Sequence, residues 1–259
     1  MGPVTNAGML PSGEWEPVEI GESDADVYRR ADGAEYAKCA DLAGVGELRD
    51  ERDRIVWLAG TGLPGATVAD WIETDAGACL VTTAVPGVAA ADLPASAYDR
   101  ATEQLAGVLR ALHDLDPADC PFTRPLTDVV RQAEDVVRRG AVNPDFLNDE
   151  WRAERPEDLL ARIQADLPRM RESADLVVCH GDACLPNLFV DPETLAPTGL
   201  IDLGRLGTAD RYTDLALVTT QLRDEWNADP APFLKAYGHP DADPAKLAFY
   251  LLLDPLTWG

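Results

Sequence analysis

The residues HGDACLPN at 180–187, followed by IDLGR at 201–205, are the most informative part of this sequence. An apolar run leads into each stretch, so each is predicted to stand at the end of a strand. Asp182 and Asn187 lie on one loop, and the short strands LFV and GLI return the chain to Asp202. The spacing therefore predicts that two carboxylates and one amide oxygen lie close together in a cleft.

These three side chains predict a Mg²⁺ site beside a general base. Oxygen ligands without His or Cys favour a hard ion such as Mg²⁺, which binds one or two carboxylates together with substrate phosphates. A free carboxylate beside that metal can orient and deprotonate a hydroxyl, as it does in protein kinases. A turn-forming role, such as the one expected for Asp191, is the alternative for Asp182.

Two further polar residues flank this loop. His180 is predicted to hydrogen-bond the loop backbone rather than to act as a base. Asp214, in the helix opening ADRYTDLALVT, either braces the same loop or lies on a solvated helix face.

A lysine and a glutamate upstream form the second signal. Lys38 lies in EYAKCA, a predicted strand in which its side chain points to one face. In the helix that follows, Glu51 shares a stripe with apolar residues at helical spacing, where an unpaired carboxylate is costly. We therefore predict that Glu51 pairs with Lys38 and holds it on the phosphates of ATP. Glu47, nearer the edge of the stripe, is the rival partner.

The chain changes composition near residue 84. Before this point, Gly and Asp turn signals separate five short predicted strands: PVEI, DVYRR, EYAKCA, TVADWIE and ACLVTTA. One helix, GELRDERDRIVWLAG, interrupts them. After it, apolar residues recur at helical spacing in Tyr98 to Asp114, Thr127 to Arg139 and Glu157 to Met170. This order predicts an α+β protein with two lobes. The N-terminal β-rich lobe at residues 1–84 would bind nucleotide, and the helical lobe at residues 85–259 would carry the catalytic loop and the substrate site.

Composition argues against several classes of function. The 259 residues carry a net charge of -24, and nucleic-acid binding depends on Lys and Arg, so no nucleic-acid partner is expected. The charge favours a cationic ligand or simple solubility. The N-terminal residues predict no signal peptide, and the longest apolar run, Leu247 to Leu253, is too short for a membrane span. Five cysteines without CxxC spacing indicate free thiols, so we expect a cytoplasmic protein. We also expect it to act as a monomer.

Residues 177–217 resemble the core of the aminoglycoside phosphotransferase family, and the resemblance covers the chain from GEWEPVEIGES to its end. The pair of motifs HGDxxxxN and IDxGR is highly specific for that family. Four runs are similar to the streptomycin 3''-phosphotransferase subgroup in particular: GELRDERDRIVWL, AVNPDFL, GLIDLGRLGTADRY and LAFYLLLDPLTWG. The resemblance implies a two-lobed protein-kinase-like fold, with a small antiparallel-sheet N-lobe and a larger, mainly helical C-lobe.

The resemblance also implies a role for each motif residue. Asp182 would be the catalytic aspartate, and Asn187 and Asp202 would be the magnesium ligands. Lys38, paired with Glu51, would bind the phosphates of ATP.

Further contacts with nucleotide follow from the same resemblance. Tyr36 would stack on the adenine, and Thr82 and Ala84 in the linker LVTTAVPG would offer backbone groups to it. The loop GESDADV has a single glycine, so Ser23 would have to cap the β-phosphate. Arg205 would lie near the transferred phosphate or, alternatively, pair with a neighbouring loop acid.

The implied function is an ATP-dependent phosphotransferase that inactivates an aminoglycoside antibiotic, namely streptomycin at its 3''-hydroxyl. The 3'-kinases of the family end in an acidic tail close to an aromatic carboxyl terminus, whereas here Pro255 follows Asp254. The alternatives are a kinase for another aminoglycoside at the 3'-hydroxyl or for another small alcohol, and a non-catalytic binding protein. A metal-dependent hydrolase is disfavoured because the sequence lacks clear His ligands.

Acidic residues are expected to receive the cationic groups of the substrate. Asp254 near the end of the chain is one, and Asp149 and Glu150 belong to an acidic cluster between Ala141 and Leu160. Plain surface solvation is the alternative for each member of that cluster.

Overall fold

A computed structural model describes residues 9–18 and 25–259 of the chain. These residues form two compact units. The first contains the described residues up to Asp92 together with Pro186–Arg205, and the second contains Leu93–Leu185 together with Leu206–Gly259. Both units are therefore discontinuous in sequence. The functional division into residues 1–84 and 85–259 stays a prediction.

A five-stranded antiparallel sheet forms the centre of the first unit. Its strands are β1 Trp15–Pro17, β2 Asp26–Arg30, β3 Glu35–Asp41, β4 Val68–Thr74 and β5 Gly77–Thr83. Their order in the sheet is β1-β2-β3-β5-β4. Strands β3 and β5 pair along their whole length, so Lys38 lies opposite Leu80. Gly77 has a φ of 152°, and a Cβ there would lie 2.1 Å from the Ala40 carbonyl oxygen, so only glycine fits this strand start.

Helix α1, Val45–Ala59, packs against β5 and against the turn Leu203–Arg205. Its buried residues are Leu48, Glu51, Ile55 and Leu58, which form the stripe that the sequence predicts. Burial of each large aliphatic side chain on this face stabilises the fold by roughly 1.5–3 kcal/mol. The helix predicted over GELRDERDRIVWLAG is confirmed to within one residue at each end.

A second, three-stranded antiparallel sheet belongs to the same unit and has the order β6-β8-β9. Its strands are β6 Val88–Ala89, β8 Leu188–Val190 and β9 Pro197–Leu200. Asp191 closes the turn between β8 and β9, because its Oδ1 accepts hydrogen bonds from the Glu193 and Thr194 amides. The hairpin between the two sequence motifs is therefore part of the first unit.

The second unit is mainly helical and contains one pair of antiparallel strands, β7 Leu176–Cys179 and β10 Gly207–Asp210. Its helices are α2 Tyr98–His113, α3 Leu126–Arg139, α4 Pro156–Glu172, α5 Tyr212–Asp224, α6 Ala231–Tyr237 and α7 Pro244–Leu253. A core of buried side chains joins α3, α4, α5 and α7, among them Leu159, Ile163, Met170 and Phe249. The three helices predicted from apolar spacing are confirmed, with ends that differ by at most two residues.

Several elements differ from the sequence prediction or were missed by it, among them the first strand and helices α6 and α7. The first strand is Trp15–Pro17, whereas PVEI was the predicted segment, and the end of that segment lies outside the described residues. Helix α6 has only seven residues, too few for a periodic pattern. Helix α7 is apolar on nearly all sides, so its sequence does not show the 3.6-residue alternation of apolar and polar residues that predicts a helix. The N-cap Asp243, which accepts from the Ala245 amide, and Pro244 at the first position are the signals that could have predicted α7.

None of the helices in the described residues combines the length and apolar composition that a bilayer crossing requires.

Candidate active site

Lys38, Glu51 and Asp202 form a three-residue cluster in the first unit. The Lys38 Nζ lies 2.9 Å from the Glu51 Oε2 and 3.3 Å from the Asp202 Oδ1. Strand β3 carries the lysine, α1 carries the glutamate, and the chain leaving β9 carries the aspartate. Glu51 is buried whereas Glu47 is exposed, so Glu51 is the partner of Lys38. The predicted ion pair is present, and its role in nucleotide binding stays a prediction.

Opposing effects set the charge of this cluster. Burial lowers the pKa of Lys38, but the carboxylates of Glu51 and Asp202 raise it by more, so the net pKa lies above that of an ordinary lysine. Burial raises the pKa of Glu51, and the Lys38 ammonium opposes that shift. The Lys38 side chain is therefore a fixed cation throughout the neutral pH range.

The two predicted metal ligands also lie in the first unit. Asp202 has a left-handed backbone with a φ of 56°, which Asp tolerates better than most residues. The amide of the preceding residue, Ile201, donates a hydrogen bond to the Asn187 carbonyl oxygen at 3.1 Å, and this bond links the two motifs. Asn187 is buried, whereas the Asp202 side chain is 45% exposed. An amide oxygen and a carboxylate are hard donors, and this donor set fits Mg²⁺.

The loop that carries Asp182 lies in the second unit, directly after β7. Asp214 on α5 accepts hydrogen bonds from the His180 amide at 2.7 Å and the Gly181 amide at 2.8 Å. His180 is buried, and its Nδ1 lies 3.3 Å from the Asp182 amide nitrogen that donates to it. Gly181 has a φ of 85°, a conformation that favours glycine. His180 thus contacts the loop backbone as predicted, and the catalytic role of the half-buried Asp182 stays a prediction.

Asp214 is fully buried and braces the loop, so the alternative of a solvated helix face is wrong. Burial raises its pKa, but the hydrogen bond from His113 and the charges and amides around it lower the pKa by more. The sequence interpretation gave no role to His113 on α2. A polar residue four positions after the buried Leu109 was the signal that could have identified it.

His113, Cys179 and Asp214 offer ligand atoms that lie within 4.8 Å of one another. The His113 nitrogens are both engaged, however, with the Tyr237 hydroxyl at 2.6 Å and the Asp214 Oδ2 at 2.9 Å. Burial also raises the pKa of the Cys179 thiol well above its usual range, which disfavours the thiolate that a metal requires. This cluster is therefore a hydrogen-bonded network rather than a metal site.

The residues predicted to contact adenine lie at one end of the five-stranded sheet. Tyr36 on β3 is exposed and lies opposite Thr82 on β5. The Ala84 amide donates to the Ala34 carbonyl oxygen at 2.9 Å, so a nucleotide contact at Ala84 would use its carbonyl group. Ser23 lies outside the described residues. The structure thus brings Tyr36, Thr82 and Ala84 together, and their contacts with adenine stay predictions.

The residues predicted to bind phosphate or substrate are spread over both units. Arg205 ends the turn Leu203–Arg205 in the first unit and is half-buried. In the second unit, Asp254 accepts a hydrogen bond from the Trp258 Nε1 at 3.3 Å and lines a cavity of about 230 Å³.

The other two acids predicted to bind substrate lie on the surface of the second unit. Glu150 is exposed, and the Asp149 side chain is 98% exposed, with its Oδ1 3.3 Å from the Arg152 Nη1. Of the three acids, only Asp254 is among the described residues that line this cavity.

The amino-acid sequence is similar to those of known phosphotransferases. The sequence model of the phosphotransferase enzyme family matches residues 14–250. Streptomycin 3''-kinase of Streptomyces griseus is 50% identical over 266 residues, which cover 100% of this chain and 97% of that protein. Aminoglycoside 3'-phosphotransferase of Streptomyces fradiae is 42% identical over 258 residues, which cover 94% of this chain and 95% of that protein.

Solved structures support the same relationship. Aminoglycoside phosphotransferase APH(3'')-Id from Streptomyces rimosus is 47% identical with a TM-score of 0.89, covering 95% of this chain and 93% of that chain. The structure of that protein in complex with ADP and streptomycin gives a TM-score of 0.87 at 46% identity, with the same coverage of 95% and 93%. The predicted protein-kinase-like fold, with an antiparallel-sheet N-terminal part and a helical C-terminal part, is confirmed by this similarity. The match extends along nearly the whole sequence and includes both motifs, and the chain belongs to the phosphotransferase enzyme family.

Proposed function

We propose that this enzyme transfers the γ-phosphate of ATP to the 3''-hydroxyl of streptomycin and so inactivates the antibiotic. The observation that carries the proposal is the cluster of Lys38, Glu51 and Asp202, in a chain that is 50% identical along its full length to a streptomycin 3''-kinase. The related structure with ADP and streptomycin bound supports both the nucleotide and the substrate.

In this proposal the first unit binds the nucleotide. The fixed ammonium of Lys38 contacts the phosphates, and Glu51 keeps it in place. Tyr36, Thr82 and Ala84 contact the adenine, and Ser23 caps the β-phosphate. Asn187 and Asp202 would hold Mg²⁺, which would supply positive charge to neutralise the phosphate oxygens.

The second unit supplies the base in this proposal. Asp182 accepts the proton of the attacking hydroxyl and orients that oxygen toward the γ-phosphate. Arg205 of the first unit stabilises the charge on the transferred group. Positioning accounts for most of the rate enhancement, because phosphoryl transfer requires little covalent chemistry from the protein.

Carboxylates bind the cationic substrate in this proposal. Streptomycin carries guanidinium groups, which pair with carboxylates in bidentate geometry. Asp254 is the first candidate because it lines a cavity, and Asp149 and Glu150 are further candidates on the surface. The net charge of -24 would also attract a cationic drug from solution.

The proposed location is the cytoplasm, where ATP is available, and the proposed active form is a monomer. The five cysteines are free thiols, four of them buried, as suits a reducing compartment.

Streptomycin should be turned over faster than kanamycin or neomycin, which carry amines in place of the guanidinium groups. Each drug is incubated with enzyme and MgATP, ADP release is followed, and NMR of the product locates the phosphate. We expect at least a roughly tenfold preference in kcat/KM, the effect of one unmatched charged hydrogen bond of about 1.5–3 kcal/mol. Faster turnover of kanamycin, or phosphate on another streptomycin hydroxyl, would contradict the substrate assignment and leave the kinase assignment intact.

Lys38→Met and Glu51→Gln should each lower kcat/KM for ATP by roughly tenfold to a hundredfold, because a hydrogen bond to a charged group is worth about 1.5–3 kcal/mol. The double variant should lose less than the sum of the two free-energy changes, since both act through one ion pair. Steady-state kinetics of the four proteins measure this coupling.

The surface pair Arg49 and Glu73, with 2.9 Å between Nη2 and Oε1, provides the control. Both of its side chains are 45% exposed, so Arg49→Met and Glu73→Gln should leave kcat/KM for ATP unchanged. Strictly additive losses at Lys38 and Glu51 would contradict their action as a unit.

A further inference from the structure

A line of buried polar groups leads away from the loop that carries Asp182. The Asp214 carboxylate accepts hydrogen bonds from two backbone N–H groups of that loop, and its Oδ2 lies 2.9 Å from the His113 Nε2. On the other side of the imidazole, Nδ1 lies 2.6 Å from the Tyr237 hydroxyl. His113 is 4%, Tyr237 1% and Asp214 0% exposed. The three side chains therefore interact out of water, where each hydrogen bond is strong and an unmade one is costly.

The hydrogen bonds of this line have one consistent direction. The Arg211 Nη1 donates to the Tyr237 hydroxyl oxygen at 2.8 Å. The hydroxyl proton is then available for His113 Nδ1, and a neutral imidazole carries its own proton on Nε2, where it is donated to Asp214. All donors and acceptors are satisfied in this arrangement. With this assignment of protons, the Tyr237 hydroxyl favours the His113 tautomer that donates from Nε2 to the Asp214 carboxylate.

The pKa shifts of Tyr237 and Asp214, on either side of His113, agree with Tyr237 as the donor and Asp214 as the acceptor. Burial raises the pKa of Tyr237 to about 12, so the hydroxyl keeps its proton at neutral pH. The pKa of Asp214 is lowered, because the donors around the carboxylate outweigh its burial, so it remains an acceptor.

Tyr237 is anchored at both of its ends. Its carbonyl oxygen accepts from the Arg110 Nη1 at 2.9 Å, and the Arg211 that binds its hydroxyl also donates through Nε to Asp175 at 2.6 Å. Asp175 directly precedes strand β7, which leads into the loop. Helices α2, α5 and α6 of the second unit therefore all contribute to one network that ends on the loop backbone.

We propose that His113 and Tyr237 are positioning residues for phosphoryl transfer: through Asp214 they fix the backbone at His180 and Gly181 and so the orientation of Asp182. The inference rests on the proposed function, because it requires Asp182 to be the base. Neither His113 nor Tyr237 contacts the substrate, and their effect is on the precision with which the base is held.

Tyr237→Phe tests the proposal, because it removes one hydroxyl and retains the packed ring. We expect kcat to fall about tenfold because one buried hydrogen bond is lost, while KM for ATP and for streptomycin changes less than about twofold. Hydrogen–deuterium exchange of the peptide that contains His180 and Gly181 should accelerate by a similar factor. Tyr212→Phe is the matched control, because the Tyr212 hydroxyl also binds a histidine, His239, at 2.9 Å in the same unit. It should leave both kcat and exchange in that peptide unchanged.

His113 variants add a rescue experiment. His113→Met should lower kcat by roughly tenfold to a hundredfold, because it leaves the buried Asp214 carboxylate without one donor. His113→Gln retains an N–H near the position of Nε2 and should recover most of the lost kcat. The melting temperature of each variant is measured, and kinetics are compared well below it.

Three outcomes would overturn the proposal. These are unchanged exchange of the His180–Gly181 peptide in Tyr237→Phe, a kcat loss in Tyr212→Phe equal to that in Tyr237→Phe, and a His113→Gln enzyme no better than His113→Met. The failure of the proposed function gives a different result. In that case the wild-type enzyme does not phosphorylate streptomycin, and the exchange measurement still reports whether Tyr237 holds the loop.

Discussion

Asp182→Asn should lower kcat for streptomycin phosphorylation by roughly two to four orders of magnitude, the range that loss of a general base typically causes. Asparagine has the same shape but cannot accept the hydroxyl proton. The loop should keep its conformation, because the bonds that define it come from the Asp182 backbone and from Asp214. KM for ATP and the melting temperature should therefore stay close to those of the wild type. Steady-state kinetics with MgATP and streptomycin give the comparison.

Asp191→Asn is the matched control for this experiment. Asp191 is an acid of the same region whose Oδ1 accepts from the Glu193 and Thr194 amides, and asparagine can still make those bonds. Its kcat should equal that of the wild type. An Asp182→Asn enzyme that keeps more than about a tenth of wild-type kcat would exclude Asp182 as the base, since base loss costs at least about a hundredfold.

Asp202→Asn should lower kcat/KM for ATP by about a thousandfold or more. The change removes the one carboxylate from the proposed Mg²⁺ site, where metal binding is worth several kcal/mol and about 1.4 kcal/mol corresponds to a factor of ten. Asparagine is preferred to alanine here because Asp202 has a φ of 56°, which asparagine tolerates. Activity is measured over a titration of Mg²⁺, and Asn187→Ala should shift that titration to higher Mg²⁺ without abolishing activity.

A surface aspartate with equal exposure controls for the loss of charge alone. The Asp53 side chain is 48% exposed, close to the 45% of Asp202, and it pairs with Arg52 on the outside of α1. Asp53→Asn should leave the Mg²⁺ titration unchanged. Full wild-type activity in excess EDTA, or an Asp202→Asn enzyme with an unaltered Mg²⁺ requirement, would exclude the proposed metal site.

The sequence predicted those elements whose two faces differ in polarity. Helix α1 has an apolar stripe and a charged face, so its bounds were predicted to within one residue, and the buried Glu51 stood out as needing a cation. The strands β2, β3, β4 and β5 were likewise found, because turn residues separate them. Motif spacing predicted that Asn187 and Asp202 lie near each other, and the hydrogen bond from the Ile201 amide to the Asn187 carbonyl oxygen joins the two motifs.

What the sequence could not predict depends on contacts between distant segments. His113 and Asp214 are 101 positions apart, and no local pattern indicates that the imidazole binds that carboxylate. Helix α7 is buried around most of its circumference, so its apolar run carries no periodicity. Asp149 illustrates a third case. Its charge suits a cationic ligand, but charge alone does not predict that the side chain is 98% exposed and lies beside Arg152.

The discontinuity of the first unit has a consequence for its synthesis on the ribosome. A chain is made from its N-terminus, and a domain that is continuous in sequence can fold as soon as its last residue has emerged. The first unit needs Pro186–Arg205, which brings β8, β9, Asn187 and Asp202, and these follow Leu93–Leu185 of the second unit. The first unit can therefore be completed only after Leu93–Leu185 of the helical unit has been translated. Lys38 acquires its Asp202 partner only late in elongation, so the first unit is completed late although most of it is encoded first.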